Sequence, residues 1–86
     1  MVSKLIERIN EKIEEEKLLV IGIRHDEVRE LNTVIPEKIH TDEEGIHIEG
    51  ENLILDISCG ESHKVIYDEV EDQFIIQGES VTIYLS

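Results

Sequence analysis

The 86-residue sequence predicts a single α+β domain in which an N-terminal helix packs on an antiparallel β-sheet of five to seven strands. Apolar residues recur at three- and four-residue steps near the N-terminus, which is typical of a helix. Apolar and polar residues alternate over much of residues 45–86, which indicates strands. Residues 45–58, GIHIEGENLILDIS, also return in altered form as residues 73–86, QFIIQGESVTIYLS. Residues 1–86 are therefore expected to form one domain built around a repeated hairpin.

The N-terminal part, residues 1–17, is expected to hold a helix over residues 3–17. Leu5, Ile6, Ile9 and Ile13 fall on one stripe of that helix, and charged residues occupy the rest of its surface. An apolar stripe of this length fits a helix that covers one face of a sheet.

Residues 18–44 are expected to form one strand followed by an irregular segment. The run LLVIGI at residues 18–23 is apolar at consecutive positions and rich in β-branched residues, which suits a central strand. Gly22 within it allows another element to approach closely. Residues 24–44 have the weakest periodicity. Within them, residues 27–31 are compatible with a short strand and Asn32-Thr33 with a turn, and Pro36 restricts Ile35 to an extended backbone.

Each copy of the repeat predicts one β-hairpin with Gly-Glu as a two-residue loop. Gly at the first loop position suits a type II′ turn, which needs a positive φ there. The alternation then directs the paired apolar side chains to one face of the sheet. The predicted pairs are Ile48 with Leu53, Ile46 with Leu55, Ile76 with Val81, and Phe74 with Ile83.

The buried and outward faces follow from this pattern. The predicted core consists of Ile6, Ile9, Ile13, Leu19, Ile21, Ile48, Leu53, Leu55, Phe74, Ile76, Val81 and Ile83. The outward face also carries Ile54, Ile75 and Tyr84, although one helix covers only one face of a sheet. Partial exposure, closure of the sheet into a barrel, or contact with another chain would each account for them, and we favour an oligomer interface.

The charge predicts the class of partner. Twenty-one acidic and eight basic residues give a net charge of −13, which repels nucleic acid and anionic membranes and attracts a basic protein. Residues 31–86 carry thirteen acids and two lysines, so the negative electrostatic field comes mainly from this part of the chain, which holds most of the predicted sheet. Acids two apart on a strand lie about 6.5–7 Å apart on one side and could imitate phosphates. The residues expected to bind the partner are Glu49, Glu51, Asp56, Asp68, Glu69, Glu71 and Asp72.

No catalytic residue, cofactor or metal site is predicted. Cys59 and His63 stand four apart, but neighbouring carboxylates raise the pKa of a thiol and so disfavour thiol catalysis. Zinc or another transition metal could be ligated if the fold brought together His25-Asp26, His40, His47 and Cys59-His63, but no two of these lie at a diagnostic spacing. A lone cysteine and the absence of a long apolar run favour a soluble cytoplasmic protein.

The small, strongly acidic layout with a helix followed by an antiparallel sheet resembles that of phage-encoded inhibitors. These include anti-CRISPR proteins and the phage inhibitor of uracil-DNA glycosylase, which imitate nucleic acid or occupy its groove. The resemblance implies a non-enzymatic inhibitor or nucleic-acid mimic acting on a basic partner such as a nuclease or a CRISPR effector. Acidic immunity proteins against nuclease toxins are similar in the same way. A small structural or ligand-sequestering homo-oligomer, for example a homodimer, is the alternative.

Overall fold

The computed structural model describes residues 2–58 and 64–86, and within them it contains one helix and eight strands. The elements are α1 (Val2–Glu15), β1 (Leu19–His25), β2 (Val28–Val34), β3 (Pro36–Asp42), β4 (Gly45–Gly50), β5 (Leu53–Ser58), β6 (Lys64–Asp68), β7 (Gln73–Gln77) and β8 (Val81–Leu85). All pairs of adjacent strands are antiparallel, which confirms the α+β class.

The strands form two sheets instead of the single sheet that the sequence predicts. The larger sheet has the order β2-β1-β8-β7-β6, and the smaller has the order β3-β4-β5. The two copies of the repeat therefore lie in different sheets, β4–β5 in the small one and β7–β8 in the large one. The strand count exceeds the predicted range by one because the segment after β1 contains two strands.

Residues 24–44 are more regular than predicted, because the short strand considered at residues 27–31 is present as β2, continues through the turn expected at Asn32-Thr33, and is followed by a further strand. The segment forms β2, which pairs with β1, and β3, which pairs with β4. Residues 28–33 of β2 are all exposed, so no apolar alternation marks that strand in the sequence. Ile35 separates the two strands, and at this residue the chain passes from the large sheet to the small one. Beyond Pro36 the pairing with β4 shifts by one residue, which is a bulge of the kind that bends strands at such corners.

Both hairpins have a register that differs by two residues from the predicted one. Ile48 pairs with Leu55 and Ile76 pairs with Ile83, so the loops are Glu51-Asn52 and Glu79-Ser80. A shift of two residues leaves every side chain on its predicted face, because side chains alternate with period two. The predicted inward and outward faces are therefore correct, although the predicted register is not.

Gly50 serves packing and not turn geometry. Its φ is not positive, which excludes the type II′ turn predicted for it. A Cβ atom at residue 50 would lie 2.2 Å from Cγ2 of Val34, far inside van der Waals contact. Glycine is required here because β2 of the large sheet approaches the end of β4 of the small one.

One apolar core joins the helix and both sheets. It is formed by Leu5, Ile9, Leu19, Ile21, Val34, Ile46, Ile48, Ile57, Phe74, Ile76 and Leu85. Six of these were predicted, and four other predicted residues, Ile13, Leu53, Leu55 and Ile83, are partly buried against them. Ile6 and Val81 are only partly buried and lie outside this cluster, so their assignment to the core is wrong. Leu5 takes the helix position that was assigned to Ile6.

Helix α1 ends earlier than predicted because Glu16 adopts a left-handed conformation, with φ 54°. The N–H of Lys17 donates to the carbonyl of Lys12 at 2.9 Å, and the N–H of Glu16 donates to the carbonyl of Ile13 at 3.4 Å. These two bonds form a Schellman motif, which satisfies carbonyls that the helix end would leave unpaired.

Candidate functional site

The outer face of the large sheet carries one line of mainly apolar residues that crosses all five strands. The pairing places Leu31 beside Gly22, Gly22 beside Tyr84, Tyr84 beside Ile75, and Ile75 beside Ile66. We call these five residues the apolar row. Residues opposite each other on neighbouring strands lie about 5 Å apart, so the row is continuous.

The apolar row is not part of the core. Its residues alternate along their strands with core residues such as Ile21 and Leu85, so they point to the opposite face. Helix α1 packs mainly against β3, in the other sheet. Leu31 is 73% exposed. The other four residues of the row are partly buried, so the row is most open at Leu31, on the edge strand β2.

A line of basic and polar residues runs beside the apolar row. It consists of Arg29, Arg24, Thr82, Gln77 and Lys64, each paired with the next across neighbouring strands. We call it the basic row. It holds three of the eight basic residues of a chain whose net charge is −13. The strand alternation places one acid of residues 2–58 and 64–86 on this face, Asp68, at its edge.

A groove of about 500 Å³ lies where the two rows meet on β1 and β2. Its floor is Gly22, where a Cβ atom would lie 3.4 Å from the Cβ of Tyr84. Leu31 and Tyr84 form apolar walls, and Arg24, Arg29 and Glu30 also line it. The groove can accept an apolar side chain, and its charged lining consists of two cations and one carboxylate.

The residues predicted to form an oligomer interface are divided between the sheets. Ile75 and Tyr84 are direct partners in the apolar row. Ile54 lies on the small sheet, where it is 70% exposed. A contact with the outer face of the large sheet therefore does not have to include Ile54.

The acids predicted to bind a basic partner are dispersed. Three of them, Asp56, Asp68 and Asp72, make contacts within the chain. Arg8 donates to Oδ1 of Asp72 at 2.8 Å, and the hydroxyl of Tyr67 donates to the same oxygen. These contacts hold the pKa of Asp72 below its usual value, with the hydrogen bond from Arg8 as the largest cause. Asp68 accepts from the backbone N–H of Val70 at 3.0 Å.

The remaining acids do not form the predicted phosphate-like series on a strand. Glu49 belongs to β4, but Glu51, Glu69 and Glu71 lie in turns and are exposed. Side chains in turns do not share the regular spacing of a strand, so the geometric argument for mimicry fails at these positions. Their carboxylates remain available to a basic partner.

The outer face of the small sheet brings two histidines together. His40 of β3 pairs with His47 of β4, and their rings stack with centroids 4.7 Å apart. Nε2 of His47 lies 3.0 Å from Oδ1 of Asp42, and Nδ1 of His47 lies 2.6 Å from Oδ1 of Asp56. The hydrogen bonds to Asp56 and then to Asp42 raise the pKa of His47 to about 8. We call His40, Asp42, His47 and Asp56 the histidine cluster.

The sequence missed this cluster because its formation depends on β3, which was not predicted. The sequence signal was the pair of histidines, together with Asp42 two residues after His40 in a strand, where both side chains share a face. His25 lies at the end of β1 beside Asp26, away from the cluster. Cys59 and His63, considered as a thiol–imidazole pair, lie outside the described residues.

No helix in residues 2–58 and 64–86 is long and apolar enough to cross a membrane. Comparison of the chain with protein-family models, curated protein sequences and solved structures found no match. Its function is therefore argued from its own geometry.

Proposed function

We propose that this chain is a non-enzymatic protein-binding domain that docks its partner on the outer face of the large sheet. The observation that supports the proposal is the apolar row, which crosses all five strands on the outer face, is at least partly exposed along its length and is bordered by the basic row. Uncovered apolar surface rimmed by polar residues is typical of protein interaction sites.

The chemistry of the face defines the partner. The apolar row suits an apolar surface, and the three cations of the basic row suit carboxylates at its edge. Nucleic acid fits poorly, because the net charge of −13 repels phosphates at long range. A second copy of the chain fits less well than a different protein, since two chains of −13 repel each other.

The size of the face sets the strength of the contact. Five strands about 4.8 Å apart and three residue positions about 6.8 Å apart along each strand give a face of roughly 24 Å by 14–20 Å. Contact over this area buries about 300–500 Å² per partner, below the roughly 800 Å² of a standard interface. The face alone fits a transient complex, and a tighter one needs contacts beyond its edges.

The first experiment tests the apolar row by affinity capture with two matched variants. Tyr84→Glu places a charge at the centre of the row, and Ile54→Glu makes the same kind of change at an exposed apolar residue of the other sheet. Tyr84→Glu should lower the affinity for a captured protein by about 30-fold, as expected for a central hot spot. Ile54→Glu should leave that affinity unchanged. Equal binding by both variants would contradict the proposal.

The second experiment tests the basic row and the identity of the occupant. Arg24→Glu should weaken capture, whereas Lys38→Glu, at an exposed lysine of the small sheet, should leave it unchanged. Light scattering of the parent chain distinguishes the homodimer, because a dimer that Tyr84→Glu converts to monomers would assign the face to a second copy. Raised salt should strengthen such a dimer by screening its repulsion.

The exposed acids of the turns support a second candidate, an inhibitor or nucleic-acid mimic of a basic, nucleic-acid-handling protein. Glu51, Glu69 and Glu71 are exposed at two hairpin turns. Reversal of all three to Lys should weaken such a complex well over tenfold, with a steep salt dependence. The control is reversal of Glu7, Glu11 and Glu14 on α1, which changes the net charge equally. The variants separate the candidates, because Tyr84→Glu should remove only a partner bound to the large sheet, and reversal of the three turn acids should remove only a basic partner bound at the turns.

A further inference from the structure

The histidine cluster has the donor set of a metal site, with ligand atoms close enough for small side-chain rotations to bring them onto one ion. His40, Asp42 and His47 each offer one ligand atom, and these atoms all lie within 4.8 Å of one another. The 3.0 Å between Nε2 of His47 and Oδ1 of Asp42 is close to the separation of two ligands about 2.0–2.1 Å from one ion.

The three ligand residues are placed by paired strands. His40 and His47 face each other across β3 and β4, and Asp42 follows His40 on the same face of β3. The backbone N–H groups of Glu44 and Gly45 donate to Oδ1 of Asp42 at 2.8 and 3.1 Å. These bonds orient the Asp42 carboxylate toward the cluster before any ion arrives.

Asp56 adds the outer support that histidine ligands usually have. Its Oδ1 lies 2.6 Å from Nδ1 of His47, on the side of the ring away from Asp42. A histidine that binds a metal through one nitrogen commonly donates its other N–H to a carboxylate, which fixes the ring and its tautomer. His47 thus stands between an orienting carboxylate and a ligand carboxylate.

We propose that His40, Asp42 and His47 bind one divalent transition-metal ion, with Asp56 as the positioning residue for His47. Two imidazoles and one carboxylate suit Zn²⁺, Ni²⁺ or Cu²⁺ and not Ca²⁺ or Mg²⁺, which prefer oxygen ligands. His40 and Asp42 are exposed, so water completes the coordination. The proposal is independent of the binding function proposed for the other sheet.

The test is calorimetric titration of the chelator-stripped chain with ZnCl₂ and, separately, MgCl₂. The parent should bind one Zn²⁺ per chain and no Mg²⁺. His40→Ala and His47→Ala should each weaken Zn²⁺ binding more than tenfold, and Asp56→Asn should weaken it by about 10–100-fold through the ring of His47. The matched control is His25→Ala, which removes a surface histidine outside the cluster and should leave the affinity unchanged.

Two further readouts make the result specific. In NMR spectra with Zn²⁺, the ring signals of His40 and His47 should shift and those of His25 should not. Thermal melts of each variant with chelator establish that it remains folded. Zn²⁺ binding that survives His40→Ala and His47→Ala but is lost in Cys59→Ser would overturn the proposal, as would the absence of saturable binding by the folded parent.

Discussion

The two copies of the repeated hairpin share their buried faces and differ on their outer faces. Their core positions correspond at a spacing of 28 residues, so that Ile48 matches Ile76 and Ile57 matches Leu85, and all four are buried. The outer positions do not correspond in kind. The pair His47–Asp56 of β4–β5 occupies the place that the pair Ile75–Tyr84 occupies in β7–β8.

This difference shows which positions the fold constrains. A core position must be apolar because removing its side chain from water stabilises the domain. An outer position of the same hairpin is free of that demand, so one copy carries a histidine–carboxylate pair and the other carries an apolar pair. The two proposed sites of this protein lie at equivalent positions of one repeated element.

The largest expected effect tests the shared core. Ile48→Ala and Ile76→Ala should each lower the free energy of unfolding by about 2–4 kcal/mol, because both side chains are fully buried. Urea denaturation measures both values. A variant that unfolds like the parent would mean that its hairpin does not contribute to the common core.

Gly50→Ala is expected to cost about 1–3 kcal/mol, because the new Cβ collides with the stiff side chain of Val34. The double variant with Val34→Ala removes the colliding methyl groups. The cost of Gly50→Ala should therefore be smaller in the Val34→Ala background, and a double-mutant cycle by urea denaturation measures this coupling. Simple additivity would indicate that β2 and β4 do not approach as described.

Exchanging the outer pair should change binding more than folding. Ile75→His combined with Tyr84→Asp gives the second copy the polar pair of the first. Because neither side chain belongs to the core cluster, unfolding should change by only about 1 kcal/mol or less. Capture of a partner through the apolar row should be lost, and circular dichroism should show an intact fold.

The smallest effect is a pH dependence confined to the first copy. The folded-state pKa of His47, about 8, lies above the usual histidine value of 6.5, so protonation favours the folded state. Its stabilising contribution is fully present below about pH 6.5 and is lost as the pH rises through about 8. The stability difference between the parent and Asp56→Asn should therefore shrink over that range, with chelator present. The ring signals of His47 in NMR should titrate with a midpoint near pH 8. A midpoint near the usual histidine value of 6.5 would contradict the prediction.

Local sequence pattern was enough to predict the fold class and the buried faces of the repeat. Strand alternation has a period of two, so the inward positions Ile48, Leu55, Ile76 and Ile83 were identified even though each hairpin register was displaced by two residues. The helix was found from its apolar spacing, and its end was misplaced because a left-handed Glu16 has no sequence signal.

Which sheet faces meet, and which strands are neighbours, could not be predicted from local pattern. Strand β2 has six exposed residues in succession, so local pattern could not reveal that it completes the apolar row. Pairing of β1 with β8 joins residues 56 to 64 positions apart in the sequence and places Gly22 beside Tyr84. Pairing of β3 with β4 likewise brings His40 beside His47. Alternation determines which face of its strand a residue occupies. Strand order and register depend on how the apolar surfaces of all the elements are buried together, so they are properties of the whole chain.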